Sequence, residues 1–461
     1  MKKTFFAIIT LFILISFKAG AKNPRYVFFF IADGMGINSV YGTELFNAAL
    51  KGQTAPCPLT FSGFPYRGFV STYSANSLVT DSSAAGSAMA CGCKINSGAM
   101  AVDPSGKRLE SVAAKARKAG YGTAVVTTTG VNHATPASFY ANDIKRGHYT
   151  SINEQLLSGE KIDFAAGAGF IPYRKHGSKE TSRYWVEKAR EKGWNVLEGK
   201  KDISKADLMP KTVFVYDSDS DSMPYAMQNP EVTLADMTRA AVQNMVKFHK
   251  KGFFMMIEGG RIDYAAHEND AACMFREIMA MDEAVDVAME FYRSHPDQTL
   301  IIVSSDHETG GVTIGNGEYE VHPERLLYQT MTQGDLTNAI AALRGRKDAS
   351  WEDARKIIEK GLGLWSKVPV TEAEEAELKE IFIQTVKGTG DSDVATLYAH
   401  NELLAYKAVS LLDDKAMFHH GVHSHTGAQV PVFAIGSGAD QIVMCHDNTE
   451  IPVAIARVSR Y

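Results

Sequence analysis

The chain has 461 residues, of which 45% are hydrophobic and 22% are charged, a composition typical of a globular protein with a sizeable core. The formal net charge of -5 is small for this length, and the sequence has no long run of like charges. The composition therefore does not indicate a protein that binds nucleic acids through a concentrated basic patch.

The first 21 residues have the layout of a cleavable secretory signal. Two lysines precede an almost wholly apolar stretch, Thr4 to Phe17, and Ala19-Gly20-Ala21 supplies a small-residue cleavage site. The alternative, an uncleaved membrane anchor, needs roughly 20 apolar residues, which exceeds this stretch. We therefore predict a signal peptide at 1–21 and a mature chain at 22–461 that is periplasmic or secreted and does not lie in a membrane.

Short runs rich in β-branched and aromatic residues predict buried strands along the mature chain. They are Tyr26–Ala32, Gly122–Thr127, Thr212–Tyr216, Phe253–Glu258, Thr299–Ser305 and Val430–Ile435. Between them, Ser111–Ala119, Leu234–Lys250 and Ala271–Tyr292 have helical patterns. Because strands alternate with helices, we predict an α/β fold with a central, mostly parallel β-sheet sandwiched between helices.

The segment from about 315 to 415 differs from the rest of the chain. It is rich in charged residues and helix formers, as in Ala354–Lys360 and Glu372–Thr385, and it has few strand patterns. We predict a helical insertion there. Whether it caps the sheet and shapes the site, or is only peripheral scaffold, stays open at this point.

Three predicted strands end in acidic residues. Asp33 follows the first strand, Glu258 ends the fourth, and Asp306-His307 follows the fifth. Ligands of open α/β sheets bind beyond the carboxyl ends of the strands, so these side chains are expected at one edge. A single aspartate in such a place is explained by helix capping; three acidic strand ends favour a metal or phosphate site.

Asp263 and His267 add a second signal, because a spacing of four places both side chains on one face of a helix. The alternative is an exposed polar face with an Asp–His contact. Next to the acidic strand ends, metal ligation is favoured. Histidines also cluster at His419, His420, His423 and His425, of which a metal site would need one or two.

Ser82 is the candidate nucleophile. It lies in a run of small residues, Val79–Ala90, in which Thr80 or Asp81 can cap the following helix. Ser82 would then lie at a helix N-terminus, where backbone N–H groups favour an anion, and a neighbouring dication would activate its hydroxyl. Close packing is the alternative explanation for such a run.

The five cysteines, Cys57, Cys91, Cys93, Cys273 and Cys445, are an odd number, so at least one is unpaired. The Cys91-Gly92-Cys93 spacing matches neither a zinc knuckle nor a redox motif. We expect structural roles, with a Cys57–Cys91 or Cys57–Cys93 disulfide as an option.

Taken together, these residues resemble the alkaline phosphatase family from Asp33 to His425. The ordered motifs that carry the resemblance are Asp-Gly-Met-Gly at 33–36, Thr-Asp-Ser-Ser-Ala at 80–84, Ala-Thr-Pro-Ala at 134–137, Glu258…Asp263…His267, Asp-His-Glu-Thr-Gly-Gly at 306–311 and His-Thr-Gly at 425–427. Each motif alone is modest evidence for the resemblance, but the order of the motifs along the chain is specific to the family.

The resemblance implies a phosphate-monoester hydrolase with two zinc ions and a third, magnesium, ion. Ser82 would become phosphorylated, and Arg146, eleven residues after Thr135, would grip the phosphate. The implied zinc ligands are Asp263, His267 and His425 at one ion and Asp33, Asp306 and His307 at the other; the magnesium ligands are Asp33, Thr135 and Glu258. The alternative explanations are that Thr135 only forms a turn and that Lys145 and Arg146 form a solvated pair on a loop. Small phosphate monoesters would be the substrates, and family members are typically homodimers.

Two positions depart from the best-known bacterial pattern. His133 stands where some members have aspartate, which softens the ligand set of the third ion. Tyr264 stands where others have lysine, histidine or tryptophan, and we expect weaker binding of the phosphate product. Competing functions are a phosphodiesterase or sulfatase of the same superfamily and a non-catalytic exported protein that binds metal or phosphate.

Overall fold

The computed structural model describes residues 23–173, 178–205, 208–315, 317, 319–344 and 346–461. The predicted signal peptide at 1–21 lies outside the described residues. In the described part of the chain, no helix combines the length and the apolar character needed to cross a membrane.

The described strands are, in chain order, β1 (Tyr26–Ile31), β2 (Tyr66–Val70), β3 (Gly122–Thr127), β4 (Phe164–Gly167), β5 (Asn195–Glu198), β6 (Thr212–Val215), β7 (Phe253–Glu258), β8 (Thr299–Ser304), β9 (Glu308–Thr309), β10 (Thr313–Ile314), β11 (Asp393–Ala395), β12 (His400–Glu402), β13 (Phe418–His419), β14 (His425–Thr426) and β15 (Val430–Gly436). Nine of them form one sheet in the order β2-β15-β8-β1-β7-β3-β4-β6-β5. The strands from β8 to β5 in this order are parallel, and only β15 and β2 run antiparallel to their neighbours. The predicted mostly parallel sheet is confirmed.

The described α-helices are α1 (Ile37–Leu50), α2 (Ser82–Cys91), α3 (Val112–Lys118), α4 (Ala134–Ala137), α5 (Tyr149–Leu157), α6 (Ser182–Glu191), α7 (Gly199–Lys205), α8 (Leu234–Phe248), α9 (Arg261–His267), α10 (Ala271–Ser294), α11 (Gln333–Arg344), α12 (Trp351–Leu362), α13 (Glu372–Ile381), α14 (Leu403–Lys415), α15 (Ala439–Ile442) and α16 (Glu450–Ser459). Short 3-10 turns lie at Phe61–Gly63, Ala226–Gln228, Pro296–Gln298 and Pro323–Tyr328, and a π-helical segment, Phe382–Lys387, continues α13.

Hydrophobic cores lie on both faces of the sheet, because alternate residues of a strand point to opposite faces. Phe28 and Phe30 of β1 pack with α1, α8 and α10, whereas Val27 and Phe29 pack with α2, α3 and α16. Strands buried on both faces explain the continuous apolar runs in the sequence. The predicted arrangement of helices on both sides of the sheet is confirmed.

Residues 315–415 contain the helices α11–α14 and the hairpin β11–β12. Leu336, Ile358 and Leu404 from this segment join the same core as Phe28. The segment therefore packs against the helical layer on one face of the sheet.

All five cysteines are free, so neither optional disulfide forms. Cys57 lies in the loop after α1, where its thiol is 3.1 Å from the Lys51 ammonium nitrogen. Cys91 ends α2, and Cys93 follows it in the next loop. These separate locations explain why the option was wrong.

The register of the central strands places their carboxyl ends level with one another. Ile31 of β1 lies opposite both Glu258 of β7 and Ser304 of β8, and Thr127 of β3 also pairs with Glu258. The antiparallel β15 begins at this same edge, since its Val432 pairs with Ser304. One edge of the sheet therefore collects the ends of β1, β3, β7 and β8 and the segment before β15.

Candidate active site

The acidic residues at the strand ends converge, as their positions in the sequence predict. Asp33, Glu258, Asp306 and His307 are all fully buried, at or just beyond the ends of β1, β7 and β8. The Nε2 atom of His307 is 3.4 Å from Asp33 Oδ1 and 3.2 Å from Asp306 Oδ2. The structure therefore brings Asp33 next to Asp306 and His307, which lie more than 270 positions later in the sequence.

A second group consists of Asp263, His267 and His425, whose candidate ligand atoms lie within 4.8 Å of one another. Asp263 and His267 lie one turn apart on α9, with His267 Nε2 3.4 Å from Asp263 Oδ2. His425, from β14, approaches Asp263 Oδ1 to 3.8 Å. Thr309 donates a hydrogen bond of 2.5 Å to the same Asp263 oxygen and so orients the carboxylate.

The imidazoles of this second group are oriented through their Nδ1 atoms. His267 Nδ1 donates to the carbonyl oxygen of His423 at 2.7 Å, and His425 Nδ1 donates to that of Thr80 at 2.8 Å. Since a carbonyl only accepts, the Nδ1 atoms carry the protons and the Nε2 lone pairs face each other at 3.1 Å. Two facing lone pairs repel unless a cation lies between them, and backbone-held imidazoles are typical of metal ligands.

Asp33 belongs to two further groups of potential ligands. One joins it to Asp263 and His307, and the other joins it to His133 and Glu258. Asp306, the expected partner of Asp33 and His307, lies within reach of His307 but outside the tightest of these groups.

Thr135, predicted at the third site, lies on α4, and its hydroxyl donates to Asp33 Oδ2 at 3.2 Å. His133, the N-cap residue of α4, has its Nδ1 atom 3.6 Å from Glu258 Oε1. Thr127 and Thr129 donate hydrogen bonds to Glu258 Oε2 and leave Oε1 facing His133. The third group thus contains an imidazole in addition to the predicted oxygen donors.

Several buried polar atoms of these groups have no hydrogen-bond partner among the described residues. They are Asp33 Oδ1, His133 Nδ1, Glu258 Oε1, Asp263 Oδ2 and Asp306 Oδ2. Leaving buried carboxylate oxygens unpaired is costly, and coordination of a cation removes the cost. Oxygen and imidazole donors of this kind suit zinc, so the residues present fit metal ions.

The shifted pKa values of these carboxyl groups show the same unfavourable burial of charge. Burial, and then the nearby Asp306, Asp263 and Glu258, raise the pKa of Asp33 well above its ordinary value. Burial also raises the pKa of Asp306, with Asp263 adding to the effect. Burial opposes ionisation of Asp263 too, but His267 and His425 outweigh it and hold its pKa below the ordinary value. Divalent cations would neutralise this concentration of carboxylates.

Ser82 is the first residue of α2 and is fully buried, with its hydroxyl 3.1 Å from His307 Nε2. Asp81 caps the helix, because its side chain accepts a hydrogen bond from the Ala84 amide at 3.1 Å. The predicted helix start and one of the two predicted caps are confirmed. The serine hydroxyl thus lies at a helix N-terminus and next to the ligand groups.

Arg146 also reaches the site, where its guanidinium is 3.3 Å from Asp81 Oδ2 and 3.3 Å from His133 Nε2. Asp81 therefore has a second role that the sequence did not indicate, since it orients both α2 and Arg146. Burial raises the pKa of Asp81, but Arg146 and hydrogen bonds from Ser83 and Gly98 outweigh it, so the pKa lies below the ordinary value.

The other clustered histidines lie elsewhere. His419 pairs with Asp414 at 2.8 Å, and His420 lies 3.6 Å from Asp413. His423 contributes its carbonyl oxygen to orient His267 rather than its ring. Of the four, only His425 joins the ligand groups among the described residues.

Two residues at the site were missed by sequence reasoning: Thr309 and Tyr398. Thr309 is part of the Asp-His-Glu-Thr motif, so its position was a signal that was not used. Tyr398 comes from the β11–β12 hairpin and stacks on Tyr264 with ring centroids 3.8 Å apart. No spacing in the sequence connects these two tyrosines.

Comparison with known proteins agrees with this geometry. Residues 21–461 match the alkaline phosphatase family profile. The repressible alkaline phosphatase of Saccharomyces cerevisiae is 28% identical, with 94% of this chain and 81% of the yeast enzyme aligned. Alkaline phosphatase 4 of Bacillus subtilis is 29% identical, over 81% of this chain and 75% of that protein.

The crystal structure of a cold-active alkaline phosphatase from Shewanella sp. is 26% identical to the chain and has a TM-score of 0.78. The similarity covers 94% of this chain and 99% of the Shewanella enzyme. The resemblance and the fold predicted from the sequence are both confirmed. The chain therefore belongs to the alkaline phosphatase family of phosphate-monoester hydrolases.

Proposed function

We propose that the chain hydrolyses phosphate monoesters through a phosphoserine formed at Ser82. The observation that carries the proposal is the position of the Ser82 hydroxyl, buried at the start of α2 and 3.1 Å from His307 Nε2. The hydroxyl lies beside the ligand groups, so a phosphoryl group held there would have a nucleophile in reach.

We assign one zinc ion to Asp263, His267 and His425 and the other to Asp33, Asp306 and His307. The facing Nε2 atoms of His267 and His425 and the unpartnered carboxylate oxygens support this assignment. When bound, paired zinc ions supply positive charge that activates the attacking oxygen and stabilises the leaving oxygen of an in-line displacement.

A third ion is assigned to Asp33, Thr135 and Glu258, and magnesium is proposed for it. Oxygen donors from a carboxylate pair and a hydroxyl suit magnesium. The Nδ1 atom of His133, 3.6 Å from Glu258 Oε1, adds a softer donor and reduces the preference of this site for magnesium over zinc.

Arg146 is proposed to bind two non-bridging phosphate oxygens through its planar guanidinium. Asp81 supports the guanidinium from one side, and its other neighbour, His133, borders the third ligand group. A bidentate cation favours the dianion of a phosphate monoester over a diester or a sulfate, each of which carries a single negative charge.

The reaction then takes two displacements at phosphorus. The Ser82 oxygen bonds to phosphorus as the bond to the ester oxygen breaks, and the alcohol leaves. Water next bonds to phosphorus as the Ser82–phosphorus ester breaks, which releases inorganic phosphate and restores the serine. Arg146 holds the same phosphate oxygens through both steps, so the phosphoryl group stays in place while the oxygen bonded to phosphorus is exchanged.

Trapping the intermediate tests this proposal. Enzyme mixed with p-nitrophenyl phosphate and quenched in acid should gain the mass of one phosphoryl group on the peptide that contains Ser82. Ser82→Ala should abolish the label, while Ser83→Ala, at the neighbouring hydroxyl that donates to Asp81, should keep it. A label on any other residue, or full turnover by Ser82→Ala, would refute the proposed nucleophile.

A rate comparison addresses the competing hydrolase functions. Hydrolysis of p-nitrophenyl phosphate should be much faster than hydrolysis of bis-p-nitrophenyl phosphate or p-nitrophenyl sulfate. Equal or faster hydrolysis of the diester would favour the phosphodiesterase alternative.

We further infer export through the predicted signal peptide at 1–21 and assembly into a homodimer. N-terminal sequencing of the mature protein should begin at Lys22, and sedimentation should give twice the mass of one mature chain. A start at Met1 would contradict the predicted cleavage, and a monomer mass would contradict the dimer.

A further inference from the structure

Tyr398 reaches the candidate site from a segment that lies more than 130 residues after Tyr264 in the sequence. It lies in the tight turn between β11 and β12, within the segment predicted as an insertion. The backbone amide of Thr396 donates to the carbonyl oxygen of Ala399 at 2.8 Å, and this turn fixes the direction of the tyrosine. Its neighbour Leu397 is 58% exposed, whereas the hydroxyl of Tyr398 is shielded from solvent.

The ring of Tyr398 is held by aromatic contacts with site residues. It stacks on Tyr264, with centroids 3.8 Å apart and planes 13° from parallel. It also packs edge-on against His267 at 5.3 Å, and it lies 6.3 Å from the ring of His133. The Tyr398 ring therefore lies next to residues of two ligand groups, His267 of one and His133 of the other.

The hydroxyl of Tyr398 has no evident structural purpose. It is shielded from solvent and has no hydrogen-bond partner among the described residues. Stacking on Tyr264 needs only the ring, and a phenylalanine would provide it without burying an unpaired hydroxyl, which is unfavourable. A buried donor without a partner indicates a ligand that is present only in the working enzyme.

The surroundings of the hydroxyl show where that ligand lies. The ring lines an open cavity of about 520 Å³ together with Arg146, His133 and Tyr264. The Tyr398 side chain therefore lies at the same cavity as Arg146, the proposed phosphate ligand, and its ring packs against His267 of α9.

We propose that the Tyr398 hydroxyl donates a hydrogen bond to a phosphoryl oxygen, next to the oxygens that Arg146 binds. The inference rests on the proposed role of Arg146 and extends it. The segment predicted as an insertion then completes the phosphate site, and is more than peripheral scaffold.

A competing role for Tyr398 is binding of the leaving group alone, since stacked tyrosines also attract aromatic rings. Inorganic phosphate separates the two roles, because it has no leaving group. A hydroxyl that binds the phosphoryl group affects inhibition by phosphate, whereas a wall of the leaving-group cavity does not.

The test compares Tyr398→Phe with the wild-type holoenzyme, with phosphate as inhibitor and two substrates, p-nitrophenyl phosphate and glycerol phosphate. Loss of one hydrogen bond to a charged oxygen should raise the inhibition constant of phosphate about tenfold and lower kcat/KM by a similar factor for both substrates. Metal content should stay unchanged and the thermal midpoint should not fall, because the ring stack remains. Tyr319→Phe, at a fully exposed tyrosine of the same segment, is the matched control and should have wild-type constants.

An unchanged inhibition constant for phosphate in Tyr398→Phe would overturn the proposal. So would a loss confined to the aryl substrate, which would assign the residue to the leaving group. Retention of full activity by Ser82→Ala would refute the proposed nucleophile instead, and the phosphate inhibition constants would still decide the role of Tyr398.

Discussion

Gly34 shows how closely the backbone must approach the ligand groups. It has a φ of +81°, a left-handed conformation that favours glycine. A Cβ atom at this position would lie 2.8 Å from Asp263 Oδ1 and 2.9 Å from the Asp263 Cα. The Asp-Gly-Met-Gly motif therefore requires glycine here for two separate reasons.

We expect Gly34→Ala to displace Asp263, reduce the zinc content and lower kcat/KM on the order of 100-fold, the effect of a misplacement of about 1 Å. Gly63→Ala is the control, because a Cβ atom there meets no atom within 4 Å. Metal analysis and a phosphatase assay on both variants test this expectation. Wild-type zinc content in Gly34→Ala would contradict it.

Tyr264 lines the same cavity as Arg146, the residue proposed to bind phosphate. Since its side chain is neutral, we expect Tyr264→Lys to strengthen inhibition by inorganic phosphate several-fold through an added charge interaction. The inhibition constants of phosphate for the wild type and for Tyr264→Lys test this expectation. An unchanged constant would show that this position does not control product affinity.

Sequence spacing predicted some site residues and not others. Asp263 and His267 lie one helical turn apart, so their proximity was visible in the sequence, and the strand-end carboxylates followed from the parallel sheet. His425 was ambiguous within its cluster until the family resemblance selected it. Tyr398 was not predictable, because its contact with Tyr264 depends on the path of a segment more than 130 residues away.

Helix α2 depends on Asp81 for its start and for its link to Arg146. Removing an N-cap side chain costs about 1 kcal/mol of stability. Asp81→Ala should show this loss and, because Arg146 loses its 3.3 Å partner, should also raise KM.

Thr371→Ala is a control for the capping contribution, since Thr371 caps α13 through the Glu374 amide and lies away from the ligand groups. It should lose similar stability and keep wild-type kinetics. Chemical denaturation and steady-state assays measure the two effects. A wild-type KM in Asp81→Ala would contradict the proposed support of Arg146.

At the level of strands, the buried centre of the sheet was easier to predict than its edges. β3 and β7 have the predicted bounds, and β1 and β8 are each one residue shorter than predicted. Of the nine strands in this sheet, the unpredicted ones are β2, β4 and β5. β2 lies at the edge with most of its residues exposed, β4 is built from small residues, and β5 has only four residues. Such strands depend on pairing with neighbours more than on their own composition.

The stability of the whole molecule should depend on pH through Glu277, a buried residue of α10. Burial raises the pKa of Glu277 from 4.5 to about 7, although the Ala226 amide and Arg261 act in the opposite direction. A carboxyl with a raised pKa in the folded state binds its proton more tightly there than in the unfolded chain. Its contribution to stability is complete below pH 4.5, declines as pH rises to about 7, and is absent above that.

Glu277→Gln should remove this dependence. Relative to wild type, the variant should gain on the order of 3 kcal/mol in free energy of unfolding between pH 4 and pH 8. Glu290→Gln, at an exposed position on the same helix, should change by much less. Parallel unfolding profiles for Glu277→Gln and wild type would contradict the expectation.

The central claim is that buried carboxylates and imidazoles from distant parts of the chain hold paired zinc ions beside the Ser82 hydroxyl. Anomalous X-ray scattering at the zinc edge, from crystals of zinc-loaded enzyme, tests it most directly. We expect two peaks about 4 Å apart, one between Asp263, His267 and His425 and one between Asp33, Asp306 and His307. Crystals of active enzyme with no zinc peak among these residues would contradict it.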